Sequence, residues 1–469
     1  MTGPRGWLAL AMLFGVLTWQ PAWAQSLQEV VGRVVVEHPE IQAAAANRRA
    51  IDAEYDQAFA GFKPTIDLEA ATGYQRDDTL ATRQRAGRGT GSGTVDAWRN
   101  EARATLRQML FDGRDVLAQV DRARGRQRSA AWRIVDTAQF QGLRAVEVYL
   151  EVLRRRELVR LAEENFQIHI DILGKSRERA ESGVGRAADL DQAEARHARA
   201  AASLIQSRGD LLEAQDNYTR IVGEAPGELS DPTVPRDRVA QDMQTALARG
   251  QADHPAIRIA MADIKVSEAD SLRAEAPFYP RVELEVSGAR EKNAEATSDN
   301  ATTLSALLRF RYNLYRGGAD EARQRETLER EYESRSVLDN IRRIVDEDVR
   351  TSWHALMTAE ERQPALEQHV ISADRVRFAY REQFDIGDRS LLDLLDSENE
   401  LFAAQSNAVT GKYLAMLAAY RVLTASGELL QAMAISVPDD AARRAGPDAC
   451  GPEARVGYSP NCWVDRALE

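Results

Sequence analysis

Asp393 and Asp396 stand three residues apart in the run DIGDRSLLDLLDSENEL, Asp385 to Leu401, with Glu400 four further on. At helical spacing these acids share one face, opposite Leu391, Leu394 and Leu395. Ser390 followed by Asp393 fits a capping box, in which an acid in the first turn satisfies free backbone N–H groups and complements the helix dipole. That chemistry accounts for Asp393 and leaves Asp396 and Glu400 as solvated surface. A second reading, a row of acids that faces something, depends on what the rest of the chain builds around it.

Other site chemistry is missing. The six histidines, His38, His169, His197, His254, His354 and His369, show no metal-ligand spacing. His38 and His254 both precede a proline and read as structural. There is no nucleophile elbow, no phosphate-binding loop and no cysteine–histidine catalytic context. The Arg/Gly loop from Gly87 to Gly93 lacks the Lys-Ser/Thr pair a phosphate cradle needs. The sequence therefore predicts no enzyme, no metal and no cofactor, with any energy supplied by a partner. The net charge of -12 argues against nucleic acid.

The elements that must position the acids come as a twofold repeat. VEHPEIQAA at Val36 returns as ADHPAIRIA at Ala252, and FKPTIDLEA at Phe62 returns as FYPRVELEV at Phe278. LFDGRDVLAQ at Leu110 matches LYRGGADEAR at Leu314, and the stretch from Ser182 matches the one around Gly387. The offset shortens after the second pair, so the first copy carries extra residues between Pro64 and Gly113. Repeat 1 spans 25–238, with a strand pair at about 64–111 and a long helical hairpin at about 113–222. Repeat 2 spans 239–436, with strands at about 280–315 and a hairpin at about 319–434. Asp115 to Glu181 has no proline, so one helix there reaches roughly 100 Å at 1.5 Å per residue. Asp320 to Phe384 repeats this with Pro364, where a kink or break is expected. Second long helices are expected from about Arg186 to Ile221 and from Ser390 to Ala434.

The strands have period two: Val282, Leu284 and Val286 alternate with charged or small polar residues, as do Leu308, Phe310 and Tyr312. Ile66 and Leu68 alternate with Asp67 and Glu69 in the first copy. The connections from Asp77 to Asn100 and from Arg290 to Thr302 read as exposed loops. Tyr74, Trp98, Tyr312 and Tyr315 are candidate interface aromatics. The chain opens with one early Arg, an apolar run from Trp7 to Leu17 and Ala22-Trp23-Ala24, a secretory signal peptide over 1–24 with no following Cys for a lipid anchor. No apolar run after it spans a bilayer as a helix. Strands apolar on one side and charged on the other fit a soluble sheet on helices or a barrel in lipid. Four strands cannot close a barrel, so the second case requires several chains.

These features together resemble the TolC family of outer-membrane exit ducts. The resemblance runs from Leu27 to about Met433 and rests on the HPxI openings at His38 and His254, the turns at Pro64 and Pro280, Gly113 and Gly317, and the G-x5-D hairpins at Gly183 and Gly387. It implies a mixed α and β membrane protein: a homotrimer whose outer-membrane β-barrel takes four strands per chain and continues into a periplasmic α-helical barrel. It implies a periplasmic adaptor and an inner-membrane ABC or RND transporter as partners. Function is then a tripartite export duct, with type I protein secretion preferred on the non-lipidated start and extra tail. The alternatives are small-molecule efflux and, in another class, a soluble periplasmic coiled-coil scaffold or adaptor.

On that resemblance Asp393 and Asp396 become stacked carboxylate rings at the narrow periplasmic end, favouring cations. Asp189, the first-repeat counterpart of Asp393, and Arg389 are the expected gate contacts, with Phe384 adding only apolar packing. Gly183, Gly185 and Gly387 mark the hairpin tips where the adaptor docks, though glycine also simply turns a chain. The tail 437–469 is placed as periplasmic material around the helical barrel. Within it Cys450 and Cys462 are expected to pair, with free thiols the competing reading.

Overall fold

Ser26 opens the first helix through a capping box: its hydroxyl accepts from the Glu29 amide, and the Glu29 carboxylate accepts from the Ser26 amide. The helix, α1 (Leu27–Glu37), stops at His38, whose ring nitrogen accepts from the Glu40 amide and caps α2 (Pro39–Ala60). His254 does the same between α6 (Met243–Asp253) and α7 (Pro255–Glu275). Proline at the first helical position loses no bond there, which is why both histidine–proline pairs start helices. The computed structural model describes residues 24–85, 94–183, 185–292 and 300–442. Cys450, Cys462, the stretch 87–93, nearly all of the leader and most of the tail lie outside the described residues.

Helix α2 leads into β1 (Thr65–Asp77), a short helix α3 (Leu80–Arg85) and β2 (Val95–Phe111). A 3-10 turn, Ala276–Phe278, leads from α7 into β3 (Arg281–Lys292) and β4 (Asn300–Arg311). The strands reach further than the alternation alone suggests: Val95–Asn100 and Arg290–Lys292 belong to strands, and α3 occupies part of the expected loop. Backbone pairing with a neighbour carries a ladder through polar residues that pattern reading assigns to loops.

The sheet is antiparallel in the order β1-β2-β3-β4, so β1 and β4 are both edges. Register puts Ile66 opposite Leu106, Leu106 opposite Val286 and Val286 opposite Ala306, which makes one face apolar. Leu68 and Leu304 on that face are 79% and 82% exposed, so nothing among the described residues covers them. Tyr74 and Trp98 pair on the same face near its far end. The other face carries a ladder of charge across all four strands, Asp67 to Arg107 at 3.1 Å, Arg107 to Glu285 at 3.6 Å and Glu285 to Arg309 at 2.8 Å.

From β2 the chain turns at Gly113 (φ 71) into α4 (Asp115–Glu181), 67 residues and roughly 100 Å at 1.5 Å per residue. A Cβ on Gly113 would lie 2.6 Å from the Ala276 carbonyl oxygen, so glycine is needed both for the turn and for the close approach of the β3 entry. Helix α5 (Ala187–Val222) returns alongside α4. In the second half α8 (Ala319–Asp385) runs unbroken through Pro364. The loss of one N–H bond and the ring's steric pressure, about 3 kcal/mol, are spread over a long helix held along α9. Gly411 of α9 lies against that turn, where a Cβ would come within 2.6 Å of Leu366 Cδ1. Helix α9 (Leu391–Ala425) ends nine residues earlier than its composition suggests, at Ser426 and Gly427 (φ 75), before α10 (Leu429–Ala432).

The main core forms where α1, α4, α5, α9 and α10 meet, around the fully buried Tyr149, Tyr218, Tyr420, Leu429 and Leu430. The last described element, α11 (Asp439–Ala442), packs on α2 and α4, with Asp440 taking an Arg49 donor at 2.7 Å. Among the described residues no helix is long and apolar enough to cross a membrane.

Candidate functional site

The two hairpins turn at Gly183 (φ 75) and Gly387 (φ 83). Both glycines occupy the left-handed region, where an L side chain costs about 1–2 kcal/mol. Each turn closes by amides folding back on the helix end: Gly185 N–H donates to the Arg179 carbonyl at 2.8 Å, and Asp388 N–H to the Gln383 carbonyl at 2.8 Å. A Cβ on Gly185 would press on the Ala180 backbone at 3.0 Å, whereas Gly183 and Gly387 face open space.

Helix α9 starts at Ser390, whose Oγ accepts from the Asp393 amide at 3.2 Å and donates to the Asp393 carboxylate at 2.8 Å. Of the capping box read from Ser390 and Asp393, the serine N-cap is present, and the Asp393 carboxylate takes the Ser390 hydroxyl where a capping box would take the Ser390 amide. Leu391, Leu394 and Leu395 bury themselves with Ile172, Ala193 and Phe384, which fixes the opposite face of α9 outward. On that side each acid has its own partner. Arg389 lies 3.8 Å from Asp393, Arg196 of α5 donates to Asp396 at 2.8 Å, and His369 of α8 meets Glu400 at 2.9 Å.

Arg389 is engaged within its own hairpin: Nε donates to Gln383 at 3.0 Å and the guanidinium stacks 4.1 Å from the Tyr380 ring. Asp189 sits in the first turn of α5, and among the described residues no ion pair joins it to Arg389. Phe384 does more than pack. The Arg179 guanidinium lies 4.2 Å from its ring centre, and Arg179 donates to its carbonyl at 3.2 Å. Lys175 pairs with Asp385 at 3.0 Å, so Lys175, Arg179 and Arg196 bind the first hairpin to the second. Sequence reasoning missed these three, because nothing local to them shows that α4 and α5 lie beside α8 and α9.

Glu398, two positions beyond Asp396, points the other way and is buried against α8, with Oε1 lacking a hydrogen-bond partner among the described residues. Burial pushes its carboxyl up from the ordinary value, against the pull of Arg377 and Arg381 and with the Asp374 charge adding to the rise. Beneath the Arg196–Asp396 pair, His169 is buried with Nδ1 at 2.8 Å from the Asn165 carbonyl, and burial holds its ring below the usual histidine range. Among the described residues no group of carboxylates, histidines or cysteines is arranged to hold a metal ion.

A mostly helical chain with a small amphipathic sheet and long tip-forming hairpins has the architecture of an outer-membrane channel. Its backbone matches the outer membrane channel CmeC of Campylobacter jejuni with a TM-score of 0.73 and 14% identity, over 92% of this chain and 94% of that one. The chain belongs to the outer membrane efflux protein family, whose model matches residues 30–224 and 246–428. It is therefore an outer-membrane protein, and the resemblance to TolC holds. It is 25% identical over 423 residues to the outer membrane efflux protein BepC of Brucella suis biovar 1, covering 90% of each chain. It is 24% identical over 385 residues to the proteases secretion protein PrtF of Dickeya chrysanthemi, covering 80% of this chain and 82% of that one.

Proposed function

We propose that three copies of this chain close into one passive duct, the outer-membrane exit of a tripartite export system. The observation that carries this reading is the four-stranded sheet itself, apolar on one face, charged on the other and open at both edges. In hydrocarbon an open edge leaves backbone groups without partners at several kcal/mol each. Closure with strands from other copies removes both edges, with the apolar face in lipid and the charge ladder inward. Because β2 and β4 run into α4 and α8, the helices continue the wall into the periplasm.

In that assembly Asp393 and Asp396 form stacked rings at the periplasmic constriction, and Arg389 and Asp189 of neighbouring hairpins hold it shut. Gly183, Gly185 and Gly387 form the turns where a periplasmic adaptor docks, linking the duct to an ABC or RND transporter of the inner membrane. The first cargo reading is type I protein secretion, supported by the likeness to a protein named for protease secretion. Small-molecule efflux is the second, supported by the likeness to an efflux protein. Deletion of the gene separates them. Loss of one large exported protein without hypersensitivity to antibiotics and detergents is the expected result, and hypersensitivity with an unchanged secreted proteome would replace secretion with efflux.

A further inference from the structure

A cavity of 520 Å³ opens where the sheet meets the long helices. Arg273, Arg281, Arg311, Arg316 and Arg323 line it, against three carboxylates, Asp115, Asp270 and Asp320. Two of the carboxylates lie behind the arginines: the Asp115 and Asp320 side chains are 16% and 18% exposed, against 33% for Asp270, and those of Arg311 and Arg316 are 71% and 58% exposed. The surface offered to a visitor is therefore guanidinium.

The acids are largely engaged. Asp115 accepts from Arg273 at 2.9 Å and Arg281 at 2.7 Å, while Asp270 pairs with Arg122 of α4 at 3.0 Å. Arg323 turns to Glu326 at 2.8 Å. Arg311 reaches Glu283 only at 3.6 Å and Arg316 reaches Asp320 only at 3.5 Å, so both keep donors for another partner. Helix α8 begins here without a side-chain cap and adds the positive end of its macrodipole, whereas the start of α4 is already served by Asp112, whose carboxylate accepts from the Val116 amide at 2.8 Å. Arg281 pairs in register with Arg311 on the face of Glu283 and Arg309, away from Val282 and Phe310, so the cavity belongs to the charged side of the sheet.

We propose that this neck cavity binds a small multivalent oxyanion of the phosphate class on the water side of the sheet. Planar guanidinium forks match such an anion by paired N–H donors, and half-exposed arginines close on it with little rearrangement. The site deepens the duct reading and depends on it only for which side holds water. The cavity is formed within one chain, so solubilised protein tests it whether or not it conducts.

The test is calorimetric titration of the full chain, in uncharged detergent at about 0.15 M salt, with inorganic pyrophosphate. Saturable uptake is expected, weakened about tenfold or more in the Arg311→Gln/Arg316→Gln variant with its melting temperature retained. Lys265→Gln, elsewhere on α7, should leave uptake unchanged. No uptake by the natural chain, or equal uptake by the folded double variant, overturns the site. The two sources of phosphate separate in vesicles: affinity for pyrophosphate that is the same in phosphatidylcholine with and without phosphatidylglycerol supports a dissolved ion. Competition by phosphatidylglycerol would put a lipid headgroup in the cavity and overturn the water-side assignment. Uptake without ion conductance keeps the site and sinks the duct, and conductance without uptake sinks the site.

Discussion

Glu398 is one residue at the tip whose environment sets a measurable pH dependence. Burial raises its folded pKa above the ordinary 4.5, so the folded protein holds the proton more tightly than the unfolded chain. The contribution to stability is then fully present below about 4.5 and is lost as pH rises through the raised value. Glu398→Gln should therefore raise the melting temperature at neutral pH, with the gain shrinking to nothing below pH 4.5. A gain of equal size at every pH would show that ionisation of Glu398 is not its source. At this scale the sequence was readable where chemistry is local. Ser390 lies three residues before Asp393 and caps its amide, the half of the capping box that residue types alone suggest. Arg196 and Asp396 are brought together only by the packing of two hairpins, and no spacing rule reaches across that distance.

Among the elements, the tip of the second hairpin carries the clearest mutational consequence. Gly387 holds φ 83 with open space around it, so Gly387→Val adds backbone strain of about 1–2 kcal/mol without a clash. The long helices have core enough to absorb that, so detergent-resistant assembly should survive while export falls. Unchanged export in a strain carrying the variant would remove the tip from adaptor docking. The helices were legible because their lengths are set by composition: nothing interrupts α4 from Asp115 to Glu181. The break allowed for at Pro364 does not occur, because the long contact of α8 with α9 offsets the proline's cost. The end of α9 was misplaced because Leu429 and Leu430 prolong the apolar pattern past Gly427 into a separate short helix. Strand ends were underestimated for a related reason, since a ladder partner sustains Val95–Asn100 where no alternation does.

For the whole molecule the account turns on what closes the sheet and what the acids then face. Within one chain both aspartates of α9 already have partners, Asp393 in Ser390 and Asp396 in Arg196, and both sheet edges are open. Assembly supplies the missing edges and brings Asp393 and Asp396 around one axis, where like charges favour cations. The measurement that reaches this most directly is ion selectivity in planar bilayers, comparing the natural protein with Asp393→Asn/Asp396→Asn. The account predicts discrete cation-selective channels whose selectivity, and block by multivalent cations, both fall in the double variant. Channels of the same selectivity in both proteins would contradict it, returning the two aspartates to capping and surface charge.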